Sequence, residues 1–148
     1  MGRDAYLETR VLTADPMELI CLLYEHAGDA VAEARHFLKA GQIAARSQAI
    51  SKAIGIIGEL NASLNHSVGG TISANLAQLY GYMTARLTEA NVRQDDRRLA
   101  EVESLLTTLA DGWKQARTQL TAEAPVPVHA PVEAWQASGE AMAHMWNA

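Results

Sequence analysis

Five histidines, His26, His36, His66, His129 and His144, are the residues of this chain best suited to acid–base or metal chemistry, and none stands at ligand spacing from another. Glu33-Ala34-Arg35-His36 has the Glu-x-x-His spacing of di-iron bundles, but such a centre needs a second copy and two further inward carboxylates. One copy is present, and the apolar stripes carry no glutamate, so a metal centre is not expected. Cys21 is alone, which rules out an intrachain disulfide and a cysteine-based zinc site, and it reads as a small buried hydrophobe. Gly69-Gly70 lacks the Lys-Ser or Lys-Thr that completes a phosphate loop. No Ser–His–Asp or Cys–His set has local support. The chain reads as neither an enzyme nor a cofactor carrier.

His36-Phe37-Leu38-Lys39-Ala40-Gly41 resembles the His-x-x-Lys-Gly signature of histidine phosphotransfer domains, which are four-helix bundles. That resemblance implies an exposed mid-helix histidine with a lysine beside it steadying the incoming phosphate. Here Ala40 separates Lys39 from Gly41, and Gly41 is expected to end the helix. The competing reading is an exposed histidine near a helix C-terminus, where the macrodipole favours it. A signalling bundle that uses His36 stands as the alternative function.

The elements that would position any site are helices. Ile20, Tyr24, Ala27, Val31, Ala34 and Leu38 recur at spacings of four and three, as do Leu99, Val102, Leu106, Leu109, Trp113, Ala116 and Leu120. That rhythm keeps one side of a 3.6-residue helix apolar. Asp15-Pro16-Met17-Glu18 supplies a cap, a first-position proline and a reciprocal acid for helix one, and Gly41 stops it. Helix two is predicted over 42–65, a turn at 66–70 around Gly69-Gly70, and helix three over 71–91 with Ile72, Leu76, Leu79, Met83, Leu87 and Ala90 inward. Asp95 or Asp96 opens helix four, which continues to about 122. Short connections force antiparallel neighbours, so residues 15–123 are predicted to form an all-α, up-down-up-down four-helix bundle. Residues 1–14 precede it as a short mixed segment. Residues 124–131, with prolines at 125, 127 and 131, read as an extended linker, and 132–148 as a short amphipathic helical tail. That tail carries Val132, Trp135, Met142 and Trp146 on one side, interrupted by Gly139.

Composition agrees with a single helical domain: 49% hydrophobic residues, only 5% aromatic, and a net charge of −5. No basic footprint points to nucleic acid, no apolar run approaches the roughly 18 residues of a membrane span, and the first residues have neither a secretory core nor a myristoylation signal. A cytoplasmic location is expected. Helix two departs from tidy amphipathicity. Ile43, Ser47, Ile50, Ile54 and Ile57 form one row, and Ala53, Ile56, Leu60 and Leu64 a second. Either this helix touches two neighbours in the bundle, or part of the second row is the wall of an exposed groove for a partner helix.

Several local patterns, in order, resemble the flagellin export chaperone family, FliS. They are Tyr6; Leu12-Thr13-Ala14-Asp15-Pro16-Met17-Glu18-Leu19-Ile20 with Leu23-Tyr24-Glu25; Glu59-Leu60-Asn61-Ala62-Ser63-Leu64-Asn65; and Gly69-Gly70-Thr71-Ile72-Ser73-Ala74-Asn75-Leu76. Leu79-Tyr80-Gly81-Tyr82-Met83, Glu89-Ala90-Asn91 and Trp113-Lys114 complete the set. The resemblance covers roughly residues 6–118. It implies a non-enzymatic cytoplasmic chaperone of flagellar type III export, which binds the disordered C-terminal region of flagellin and prevents premature polymerisation. The export gate and a co-chaperone are further implied partners, and the free protein is expected as a monomer or homodimer. In that family the N-terminal segment lies near the flagellin-binding surface, which carries over to Tyr6 with Leu7, Val11 and Leu12 beside it. Ile50, Ile54, Ile57, Asn61 and Leu64 of helix two, and Leu79, Tyr82 and Met83 of helix three, are the other expected contacts, each with plain core packing as its alternative. Asn61, Asn65 and Asn75 would pair with partner backbone or else cap and bridge helices. Two departures from the family pattern stand out: Asp15 where serine is commoner, and residues 125–148 beyond the usual end of the fold. The tail is expected to dock on an apolar groove when flagellin is absent, or to swap between protomers.

Overall fold

The computed structural model describes residues 16–123, with side chains through Gln119. Four helices follow one another: α1 (Pro16–Lys39), α2 (Ile43–Ala62), α3 (His66–Arg93) and α4 (Asp96–Glu123). No strand occurs among the described residues. α1 packs against α2 and α4, and α3 against the same two helices, so each neighbour in sequence is an antiparallel neighbour in space. The predicted four-helix bundle is what the chain forms. Asp15, the 1–14 segment, the 124–131 linker and the 132–148 tail lie outside the described residues, as do Tyr6, Leu7, Val11 and Leu12.

Local chemistry sets the boundaries. Pro16 opens α1, where its missing N–H costs no helical bond. At the other end Gly41 adopts φ +71°, the Gly41 N–H reaches Leu38 O, and the Gln42 N–H reaches Phe37 O. Those two bonds satisfy the last carbonyls in a Schellman-type stop. α2 ends at Ala62, three residues before the predicted end, because Asn65 is already extended and heads α3. The expected open turn at 66–70 is instead one helical turn, closed by Gly69 N–H to Asn65 O at 2.8 Å, and then a break at Gly70 (φ +52°, ψ −124°). Only glycine adopts that backbone cheaply, so the break falls on the second glycine and a straight helix resumes at Thr71. Gln94 in the left-handed region ends α3, and the Asp95 carboxylate accepts the Arg97 N–H to cap α4.

The core runs along the bundle axis through Tyr24, Val31, Ile57, Leu60, Tyr80, Met83, Leu87, Leu99, Val102 and Leu106. Both apolar rows of α2 contribute, since Ile50, Ala53, Ile57, Leu60 and Leu64 are all buried. A helix that faces both α1 and α3 needs two inward rows, so the second row is core and not an open groove wall, although Ile56 on it is half-buried. Ile72 corrects the reading of α3: expected inward, it is 47% exposed. After the Gly70 break the inward stripe runs through Ser73, Leu76, Tyr80 and Met83, and Ile72 stands one residue off it, at the stripe's edge.

A charge-free face on the third helix

The two sides of α4 differ in chemistry. Toward α1, Arg35 makes a two-point contact with Asp96 (2.8 and 3.0 Å) and reaches Glu103, Lys114 meets Glu25 at 2.6 Å, and Arg117 meets Glu18 at 3.4 Å. Hydrogen bonding to the Arg35 guanidinium lowers the Asp96 pKa, and Glu25 raises that of Lys114. Between these pairs lies a groove of about 390 Å³, floored by Tyr24, Gly28, Ala32, Leu106 and Ala110 and rimmed by Glu25, Asp29, Glu103, Asp111 and Lys114.

Toward α3 the pattern reverses. Tyr82 and Arg86 both donate to the Glu101 carboxylate, at 2.8 and 2.7 Å, and Arg98 binds Glu89 at 3.0 Å. All of these contacts lie on the half of α3 nearer the α3–α4 turn. Asn91 is also held there: the buried Arg46 guanidinium donates to its side-chain and backbone oxygens, and Ser47 donates to the same side-chain oxygen. Residues 67–85, a stretch that includes Tyr82, contain no charged side chain. On the side of α3 that carries Tyr82 and Arg86, Ile72, Asn75 and Leu79 precede them at helical spacing. Across from them Leu105, Leu109, Gly112 and Ala116 follow Glu101 along α4 at the same kind of spacing, again without charge. Ile72 and Tyr82 are about half exposed, Leu79, Leu105 and Leu109 half-buried, and Gly112 exposed. The result is an uncharged trough between α3 and α4.

A buried polar link anchors the middle of α3. The Tyr24 and Tyr80 hydroxyls lie 2.5 Å apart across the bundle, and the Trp113 indole N–H donates to Tyr24 at 3.2 Å. Burial raises the Tyr24 phenol to about 12 and pushes Tyr80 up as well.

The expected contact residues divide accordingly. Tyr82 and Asn61 are exposed, Ile54 and Leu79 half-buried, and Ile50, Ile57, Leu64 and Met83 buried in the core. Ile54 and Asn61 share a side of α2 with Ser47, which binds Asn91, so they flank α3 from its other side. The structure therefore gathers Ile54, Asn61, Leu79 and Tyr82 around α3 and keeps the other four inside. Asn65 heads α3: its backbone oxygen accepts from Gly69 and Ser73, and its side chain accepts from Ser67. Asn75 is exposed. His36 lies exposed in the last turn of α1 with its ring 5.6 Å from that of Phe37. The sequence reading missed Ile72 as surface, the α4 wall of the trough and the buried Arg46. The absence of charge over 67–85 was the available signal for the first.

No helix among the described residues is long and apolar enough to cross a membrane, and no group of three metal-ligating side chains occurs among them. A profile of the family described as "Flagellar protein FliS" matches residues 2–120. The flagellar secretion chaperone FliS of Salmonella typhimurium is 44% identical over 110 residues, covering 74% of this chain and 82% of that one. FliSB of Pseudomonas aeruginosa is 42% identical over 107 residues (72% and 85%), and FliS of Bacillus subtilis 37% over 112 residues (76% and 83%). With four-fifths of its length inside the family profile, the chain belongs to the FliS family, whose members are flagellar secretion chaperones and not enzymes.

Proposed function

We propose that this chaperone works in the bacterial cytosol, where it holds the disordered C-terminal segment of flagellin and keeps it from polymerising before type III export. The observation that carries this reading is the uncharged, part-exposed surface of α3 over residues 67–85, in a chain of which 20% is charged. A segment that buries apolar side chains only in the filament needs a substitute surface, and an amphipathic helix laid into a groove obtains one without stranding a charge. Ordering the segment costs about 2–5 kcal/mol, so affinity has to come from an extended contact. Ile54, Asn61, Leu79 and Tyr82 make that contact in this proposal, with Tyr6, Leu7, Val11 and Leu12 nearby, while buried Ile50, Ile57, Leu64 and Met83 set the shape beneath. The export gate and a co-chaperone are further partners under the same reading. No observation favours phosphotransfer through His36, which stands at the end of its helix.

Co-purification with flagellin that contains or lacks its C-terminal segment tests the proposal. A stoichiometric complex with the intact protein alone, and delayed filament growth in its presence, are expected. Equal retention of both forms, or of neither, would overturn it.

A further inference from the structure

We infer that the C-terminal tail of this chain, residues 132–146, docks as a helix in the uncharged trough between α3 and α4 and competes there with the client. The competition rests on the proposed function; the docking does not. Position favours this docking. α3 and α4 are both 28 residues long and diverge from the Gln94–Asp95 turn, so the chain leaves α4 beside the beginning of α3, where Ile72 is exposed. Length allows it. The linker of 124–131 spans up to ~25 Å when extended, enough to reach the far end of the trough or to fold back near its start. As a helix, 132–146 covers ~21 Å, and the uncharged flank of α4 from Leu105 to Ala116 covers ~17 Å, so most of the tail lies against it.

Charge favours it as well. Val132, Trp135, Met142 and Trp146 form the apolar side of the tail, and its two acids, Glu133 and Glu140, fall on the opposite side at 100° per residue. Neither surface buries a charge when the two meet. The ion-paired groove between α1 and α4 offers no such match, since its rim holds Glu25, Asp29 and Asp111 against an acidic tail. The family profile ends at residue 120, so the tail lies beyond the matched residues.

Iodide quenching of tryptophan fluorescence in the full chain, across a dilution series, tests this directly. Trp113 is buried, so the quenchable signal belongs to Trp135 and Trp146. Protection of that signal, independent of protein concentration and lost in Ile72→Glu and Gly112→Asp, is the expected result. Both positions are exposed, and nothing lies within 4 Å of a side chain added at Gly112, so the variants keep the fold. Full quenching in the unaltered chain would overturn the inference. Protection that fades on dilution would assign the trough to a second copy, and protection indifferent to both substitutions would place the tail elsewhere. If the docked form occupies about nine molecules in ten, deleting 124–148 tightens binding of a flagellin C-terminal peptide about tenfold. A peptide that binds neither form would sink the client reading and leave the quenching result standing.

Discussion

α4 is one helix with two unlike borders. Against α1 it presents Asp96, Glu103, Lys114 and Arg117, each ion-paired across the seam. Against α3 its charges stop at Glu101, and beyond that point Leu105, Leu109, Gly112 and Ala116 face a helix equally free of charge. α1 is also the more closely packed of the two partners. The contrast separates two tasks. The α1 border fixes the register of the scaffold with pairs that are modest individually, and the α3 border leaves apolar surface exposed, which under the proposed function serves the client. A surface of the second kind has to be held open by structure elsewhere. The Tyr24–Tyr80–Trp113 link and the Arg46–Asn91 contact supply that at the middle and the end of α3.

The comparison breaks first if the shared core does not behave as core. Leu106→Ala removes a fully buried side chain that supports both borders and should cost about 2–5 kcal/mol of stability by urea unfolding. A loss below about 1 kcal/mol would mean that α4 is not the common wall. Client affinity is the next largest expected effect and divides the borders most sharply. In the chain truncated after residue 123, where no tail competes, Tyr82→Ala or Ile72→Glu should weaken the flagellin fragment by about 2 kcal/mol, some thirtyfold, in titration calorimetry with little change in urea midpoint. The matched change Asp29→Ala on the α1 side should leave affinity alone.

Tyr80→Phe sharpens the role of the buried link. It leaves Tyr24 with one partner fewer and should cost about 1–3 kcal/mol. It should also flatten the alkaline limb of the stability profile. The Tyr24 phenol is raised from an ordinary 10 to about 12 in the fold, so its contribution is complete below pH 10 and lost as pH climbs toward 12. Removing Tyr80, whose phenol is raised as well, takes one proton out of that transition. Smallest of all, Arg35→Ala should cost at most about 1 kcal/mol, because Asp96 and Arg35 are partly solvated. The sign at acid pH follows from the lowered Asp96 carboxyl. Its contribution is present above the unfolded carboxylate range and is lost as pH falls through the folded value, so the variant should differ from the parent at pH 7 and converge with it near pH 2.

Much of this was legible in the residues. The three-and-four rhythm of Ile20 to Leu38 and of Leu99 to Trp113 named the buried sides of α1 and α4, and Gly41 marked the stop that forms. What periodicity could not read was degree. Ile72, Leu79 and Met83 sit on overlapping faces of α3, yet they range from half exposed to fully buried, because exposure at a stripe edge depends on how closely the next helix approaches. The same limit hid the burial of Ile50, Ile57 and Leu64 in the core. Arg46 was illegible for another reason: a buried guanidinium is satisfied by Asn91, 45 residues away, which only the fold brings near. The missing charges of 67–85 were in plain view, but their meaning depends on which side of the bundle α3 exposes.

Hydrogen–deuterium exchange of the full chain, with and without a flagellin C-terminal fragment, reads the claim at the level of helices. Added protection should fall on residues 67–85 of α3 and 105–116 of α4, with the 25–36 stretch of α1 unchanged. Protection confined to α1, or exchange unaltered anywhere under saturating fragment, would contradict the assignment of the client to the charge-free face.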